Sequence, residues 1–169
     1  MNLRLFAYAV VTVGLILAPR AHSATLPAPT GPVLLTVTGA ITNTNNGGQA
    51  DFDRAMLEAL GLTELTTSTP YTDGKPTFRG VNMGKVLDAA GATGHKLHAA
   101  AVNGYQIELD ADEMRRYPIL LALEQDGQAL RLRDRGPLWI ILPSDQYPEF
   151  AADSQNFKSI WQLRSIDVQ

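Results

Sequence analysis

Two dipeptides, Asn103-Gly104 and Asp126-Gly127, constrain this chain more than any other feature, because each sits between short apolar runs and each favours a reversal with positive φ. Lys96 to Val102 and Tyr105 to Leu109 flank the first, and Ile119 to Leu123 and Ala129 to Leu132 flank the second. Two antiparallel hairpins are therefore expected. Further strands are read at Val33 to Ile41, Leu65 to Thr69, Leu138 to Leu142 and Ile160 to Val168, all rich in β-branched or alternating apolar residues. Between them lie two helical patterns. In Asp51 to Leu60 the apolar residues Phe52, Met56, Leu57 and Leu60 precede Gly61; in the second, Met83, Val86, Leu87 and Ala90 follow Asn82, which can cap, and precede Gly91. Asp110 with Glu113 three residues on predicts a capped third helical turn. About seven short strands and two or three short helices, without βαβ alternation, define an α+β chain with a mixed or largely antiparallel sheet.

The N-terminus reads as a targeting segment. Arg4 precedes an uncharged apolar stretch from Leu5 to Ala18, shorter than the roughly 20 residues of a membrane span, and Ala21-His22-Ser23 offers small residues for cleavage. A signal peptide over residues 1–23 is expected, then an extended proline-rich leader over 24–32, then one domain over 33–169. The removed residues carry Arg4 and Arg20 and no acid, so 169 residues at a net charge of −3 become 146 at −5. An exported, periplasmic, acidic domain of that size has no electrostatic case for binding nucleic acid. It also has no cysteine, which removes disulfides, thiolate nucleophiles and cysteine-ligated metals.

Nucleophile-elbow, phosphate-loop and dinucleotide fingerprints are missing. His95 and His98 lack a third ligand at matching spacing, so no metal site is expected. Asp110, Asp112, Glu113, Asp126, Asp134 and Asp145 are numerous, but most fall in turns or at a helix start, where carboxylates cap and solvate. Arg131, Arg133 and Arg135 alternate along an expected strand and would share one face, either as an anion site or as a solvated sheet edge. Trp139, between Pro137 and Pro143, is either core or, with Trp161, Tyr71, Tyr105 and Phe78, part of an aromatic pocket for a planar heterocycle.

The series Phe78-Arg79-Gly80-Val81, Val86 to Gly91, Asn103-Gly104-Tyr105, Asp126-Gly127, Gly136-Pro137-Leu138-Trp139 with Pro143, and Phe157 to Leu163 with Ile166-Asp167-Val168 resembles the molybdopterin-binding domain of sulfite-oxidase-like oxidoreductases. The resemblance implies a sulfite-oxidase fold, with a mixed sheet, short helices and a pterin cleft. In those enzymes a cysteine on the segment matching Leu65 to Tyr71 holds molybdenum. Here that segment offers only hydroxyls, poor substitutes for a soft thiolate. The chain looks like the small periplasmic pterin-binding proteins that lack this cysteine and regulate a membrane-bound cyclic-di-GMP synthase/phosphodiesterase. That implies a reduced, metal-free pterin as cofactor, molybdenum not expected, no catalytic residues, and a partner in the periplasmic domain of a membrane signalling protein. The pterin ligands it suggests are Trp139 or Tyr105 for stacking, Asp134 or Asp145 for the amino edge, Asn103 and Arg79 for the 4-oxo side, and Lys158 from the Asn156-Phe157-Lys158 stretch. The alternatives are a molybdenum-cofactor-dependent oxidoreductase or accessory subunit with a non-cysteine ligand set, and an interaction module with a vestigial cleft.

Overall fold

The structure, a computed structural model, describes residues 26–169. The expected signal peptide over 1–23 lies outside the described residues, among which no helix is long and apolar enough to cross a membrane. The elements run β1 (Val33–Gly39), β2 (Ala50–Asp53), α1 (Arg54–Ala59), β3 (Leu62–Thr66), β4 (Thr77–Asn82), α2 (Met83–Ala89), β5 (Lys96–Ala101), β6 (Gln106–Asp110), α3 (Ala111–Arg116), β7 (Leu120–Gln125), β8 (Gln128–Ala129), β9 (Trp139–Ile141) and β10 (Leu163–Val168). The strands build two sheets. The first has the order β2-β1-β10-β5-β6, and only β1 and β10 run parallel. In the second, antiparallel throughout, β4 joins β3 to one edge of β7, while β8 and β9 share the other edge. The expected α+β class with a mixed sheet and short helices is observed.

Alternation explains which faces turn inward. In β5, Leu97, Ala99 and Ala101 are buried, and in β6 Ile107 and Leu109 meet them. These residues join α2 (Met83, Val86, Leu87) and the inner face of β7 in one large core. A smaller core forms behind the second sheet from Leu65, Phe78, Leu120, Ala122, Leu130, Trp139 and Ile141. The β4–β7 contact is close enough to require glycine, since a Cβ on Gly80 would collide with the Leu121 carbonyl and lie 2.7 Å from the Ala122 Cα.

Several expected elements are corrected. Residues 51–53 are strand rather than helix, because pairing with β1 buries all four residues of β2, and helix α1 starts only after Asp53. The strand read at 65–69 occupies Leu62–Thr66, in register with β4. Asn82 takes the N-cap position of α2 but makes no side-chain capping bond. The second hairpin is short: its return strand is only Gln128–Ala129, and Leu132–Asp134 is a 3-10 turn. Arg131, Arg133 and Arg135 therefore do not alternate along a strand; the turn closes through Asp134 N and Gly136 N donating to the Arg131 carbonyl, with Arg135 at φ 70°. Of Ile160 to Val168, only the last six residues are strand. The third helix follows expectation, with Asp110 accepting from Glu113 N at 2.8 Å.

The leader lies on the domain. Leu26 packs on the main core, Asn45 donates to the Pro27 carbonyl, and Thr30 N and Gly31 N donate to the Asp53 carboxylate at 2.7 and 2.8 Å. The same carboxylate caps α1 through Met56 N. These bonds, that to Met56 first, hold the Asp53 carboxyl below the usual aspartate range. A depressed folded-state pKa contributes stability above the unfolded value, and that stability is lost as pH falls through the folded one. The Asp53→Asn variant is accordingly expected to unfold at lower urea than the parent at neutral pH, with the gap closing as the pH drops below the ordinary aspartate range. Urea melts across pH, followed by circular dichroism, measure this; a gap independent of pH would contradict it.

Candidate functional site

The site is made where the chain passes from one sheet to the other. Leaving β9, it returns through residues 159–162 beside that strand before entering β10. Trp161 bridges Trp139, and Ile140 N donates to the Ile160 carbonyl. Gln162, at φ 54°, turns the chain into the first sheet, where Val102 N donates to its carbonyl. The crossing segment and the Asn103-Gly104 hairpin thus become neighbours, and a cavity of about 220 Å³ opens between them. Its walls are Ala101, Asn103 and Tyr105 from the hairpin, Ser159 to Trp161 from the crossing, Asn156 and Phe157 from a 3-10 turn, and Tyr71 from the loop after β3.

The aromatic groups divide into a buried support and an accessible lining. Trp139 is fully buried: Phe78 meets it edge-on at 5.4 Å, Trp161 at 6.4 Å, and the Arg135 guanidinium covers its ring at 5.2 Å. Its indole N–H donates to Ser159 Oγ at 3.0 Å, and that hydroxyl donates onward to the Ile140 carbonyl at 2.8 Å. A buried indole needs such a partner. Tyr71 stands edge-on to Trp161 at 4.8 Å and its hydroxyl donates to the Asn156 carbonyl. Tyr105 and Phe157 are 48% and 47% exposed, so both present open apolar surface at the mouth.

Polar atoms are few and directional. Asn103 Oδ1 accepts from Tyr105 N at 3.0 Å, which fixes the side chain and leaves its amide NH2 without a partner among the described residues. Asn156 Nδ2 is drawn to Asp153 at 3.4 Å, leaving its Oδ1 free to accept. A donor and an acceptor therefore sit in one aromatic-lined cavity.

The structure brings together two of the seven expected ligands, Asn103 and Tyr105. Trp139 lies behind Trp161 with no exposed face. Arg79 faces Glu124 across the β4–β7 ladder at 3.1 Å, on the outside of the second sheet. Asp134 is held by Arg131 at 2.7 Å, which keeps its carboxyl below the usual range. Lys158, although next to Phe157, turns to Glu113 at 2.7 Å and ties its turn to α3. Asp145 accepts from Ser68 Oγ at 2.6 Å and Ser68 N at 3.1 Å and pairs with Lys75; the Ser68 hydroxyl foremost holds its carboxyl low. It anchors the loop that delivers Tyr71, and it lines an adjoining cavity that shares Asn156 with the first. Asn156 and Phe157 carried no chemical signal stronger than their place beside Lys158. His95 meets Asp112 at 3.1 Å, and among the described residues no three His, Asp or Glu side chains gather as a metal site.

No model of a known protein family matches the sequence, and no curated protein matches it. Among solved structures, the sulfane dehydrogenase SoxCD from Paracoccus pantotrophus shares the fold, with a TM-score of 0.59 at 16% identity. The match covers 79% of this chain and 37% of that one, so this chain spans little more than a third of its neighbour's length. At that identity the likeness is one of fold: the α+β arrangement is sulfite-oxidase-like.

The division between support and lining can be measured. Trp139→Ala is expected to cost about 3–5 kcal/mol, the usual loss for a fully buried aromatic. Trp161→Ala, removing a partly exposed ring that packs on the edge of the smaller core, should cost clearly less. Equal losses in urea melts would show that Trp161 is core as well.

Proposed function

We propose that this chain is an exported pterin-binding protein, without catalysis of its own, that takes a reduced pterin in the Tyr71–Trp161 cavity and reports it to the periplasmic domain of a membrane-bound cyclic-di-GMP synthase/phosphodiesterase. The observation that carries the reading is the pairing of an accessible aromatic lining with the free amide NH2 of Asn103 and the free Oδ1 of Asn156. A pterin's 2-amino-4-oxo edge offers donors and an acceptor side by side, and its bicyclic face gains contact area on aromatic rings at little entropic cost. At about 220 Å³ the cavity is below the ~300–1,000 Å³ typical of drug-sized ligands, so it suits one bicyclic heterocycle rather than a dinucleotide form. The signalling partner and the export route rest on the sequence resemblance and on the apolar stretch before residue 24.

A molybdenum centre of the thiolate type does not fit the residues present. The segment that would carry the ligand has no sulfur, and its hydroxyls are engaged: Ser68 on Asp145, Thr69 on Thr72, Thr67 on Asp145 N. The oxidoreductase reading is favoured by the neighbour's being a dehydrogenase, and metal analysis separates the two. Anaerobic calorimetry with tetrahydropterin is expected to show one site per chain, weakened about tenfold, or ~1.4 kcal/mol, in Asn103→Ala through loss of one hydrogen bond. Protein expressed with molybdenum cofactor supply should carry no stoichiometric molybdenum. Absence of binding by any reduced pterin would end the proposal, and stoichiometric molybdenum would replace it with the oxidoreductase.

A further inference from the structure

A second cavity, of about 380 Å³, lies across the same backbone from the first. The first touches Ala101, Asn103 and residues 159–161; the second touches Val102, which lies between the first two, and Leu163 and Arg164, which follow the crossing segment into β10. Its volume falls within the ~300–1,000 Å³ range of small-molecule sites. Val33, Leu34, Val102 and Leu163 form an apolar wall, with Val33 and Val102 46% and 44% exposed.

Two charges line this cavity without pairing. Arg164 sits at the register slip between β10 and β5, where Leu163 opposes Ala101 and Ser165 opposes Ala100, so it is the extra residue of a bulge. Bulges re-aim side chains, and this one leaves a guanidinium with no ion pair or side-chain hydrogen bond among the described residues. Asp51, only 7% exposed, contributes a carboxylate to the same cavity. Its Oδ1 accepts from Thr36 Oγ1 at 2.7 Å and its Oδ2 from Asn46 Nδ2 at 2.8 Å, one bond each, so each oxygen can accept another.

We propose that this cavity binds a free apolar α-amino acid of valine or leucine size. A fork-shaped guanidinium suits an α-carboxylate, a carboxylate with spare lone pairs suits an α-ammonium, and the exposed valines gain from covering by an aliphatic side chain. A simple organic acid would leave Asp51 unused, and an amine would leave Arg164 unused. Because the two cavities share their wall, an amino acid in one bears on the same residues that hold a ligand in the other, yet this site does not depend on what the first one binds.

The test is a titration of the isotope-labelled protein with L-leucine, N-acetyl-leucine and leucinamide, followed by amide NMR shifts. Leucine is expected to shift Val33, Val102 and Arg164, and blocking either of its charges should weaken binding at least about tenfold. Arg164→Met, a change at an exposed position, should abolish the shifts while leaving the thermal midpoint in place. No shift at about 10 mM leucine, weaker than any specific site of use, would overturn the proposal. So would a blocked form binding as tightly as leucine itself, or unchanged binding in Arg164→Met.

Discussion

The structure depends on one buried hydrogen-bonded unit, the Trp139 indole on Ser159 and the Ser159 hydroxyl on the Ile140 carbonyl. It joins the last strand of the second sheet to the segment that crosses into the first. Without it the largest ring of the smaller core would hold an unsatisfied N–H; together with the Ile140 N bond to the Ile160 carbonyl and the Leu163 N bond to the Leu138 carbonyl it sets where Trp161 emerges beside Tyr71. The candidate pocket is therefore a consequence of how two sheets are connected. The connection buries one tryptophan and presents the other.

The same logic assigns work to charged residues around it. Asp145 fixes the Ser68 end of the loop that carries Tyr71, Lys158 fixes the turn that carries Asn156 and Phe157, and Arg135 covers the face of Trp139. All three act on the pocket through its frame. Its lining is left to neutral groups, while the unpaired charges of Asp51 and Arg164 line the second cavity.

Local chemistry was readable in advance where a few adjacent residues decide the outcome. Asn103-Gly104 is a reversal with Gly104 at φ 84°, Met83 to Ala89 is a helix, and Asp110 caps its own helix because the bond it makes is three residues away. The aromatic group expected around Trp139 divides: Trp161, Tyr71 and Tyr105 line one cavity, while Trp139 and Phe78 are buried in the smaller core. What stayed hidden needed partners distant in sequence. Phe52 fits a helical spacing, yet pairing with β1 claims it for a strand. The resemblance suggests Arg79 and Lys158 as pterin ligands, but cross-strand register and the packing of α3 give them Glu124 and Glu113 as partners instead. The bulge at Arg164 has no signature in the sequence at all, since a register slip belongs to two strands together.

Bound as proposed, a pterin would lie on Trp161 with Trp139 shielded behind it. The two tryptophans give two indole N–H signals, which makes proton–nitrogen NMR of the protein under tetrahydropterin the most direct measurement. The Trp161 indole signal is expected to shift as ligand is added while the Trp139 signal, bonded to Ser159, stays in place. Saturation with neither signal moving, or with Trp139 moving and Trp161 still, would contradict it.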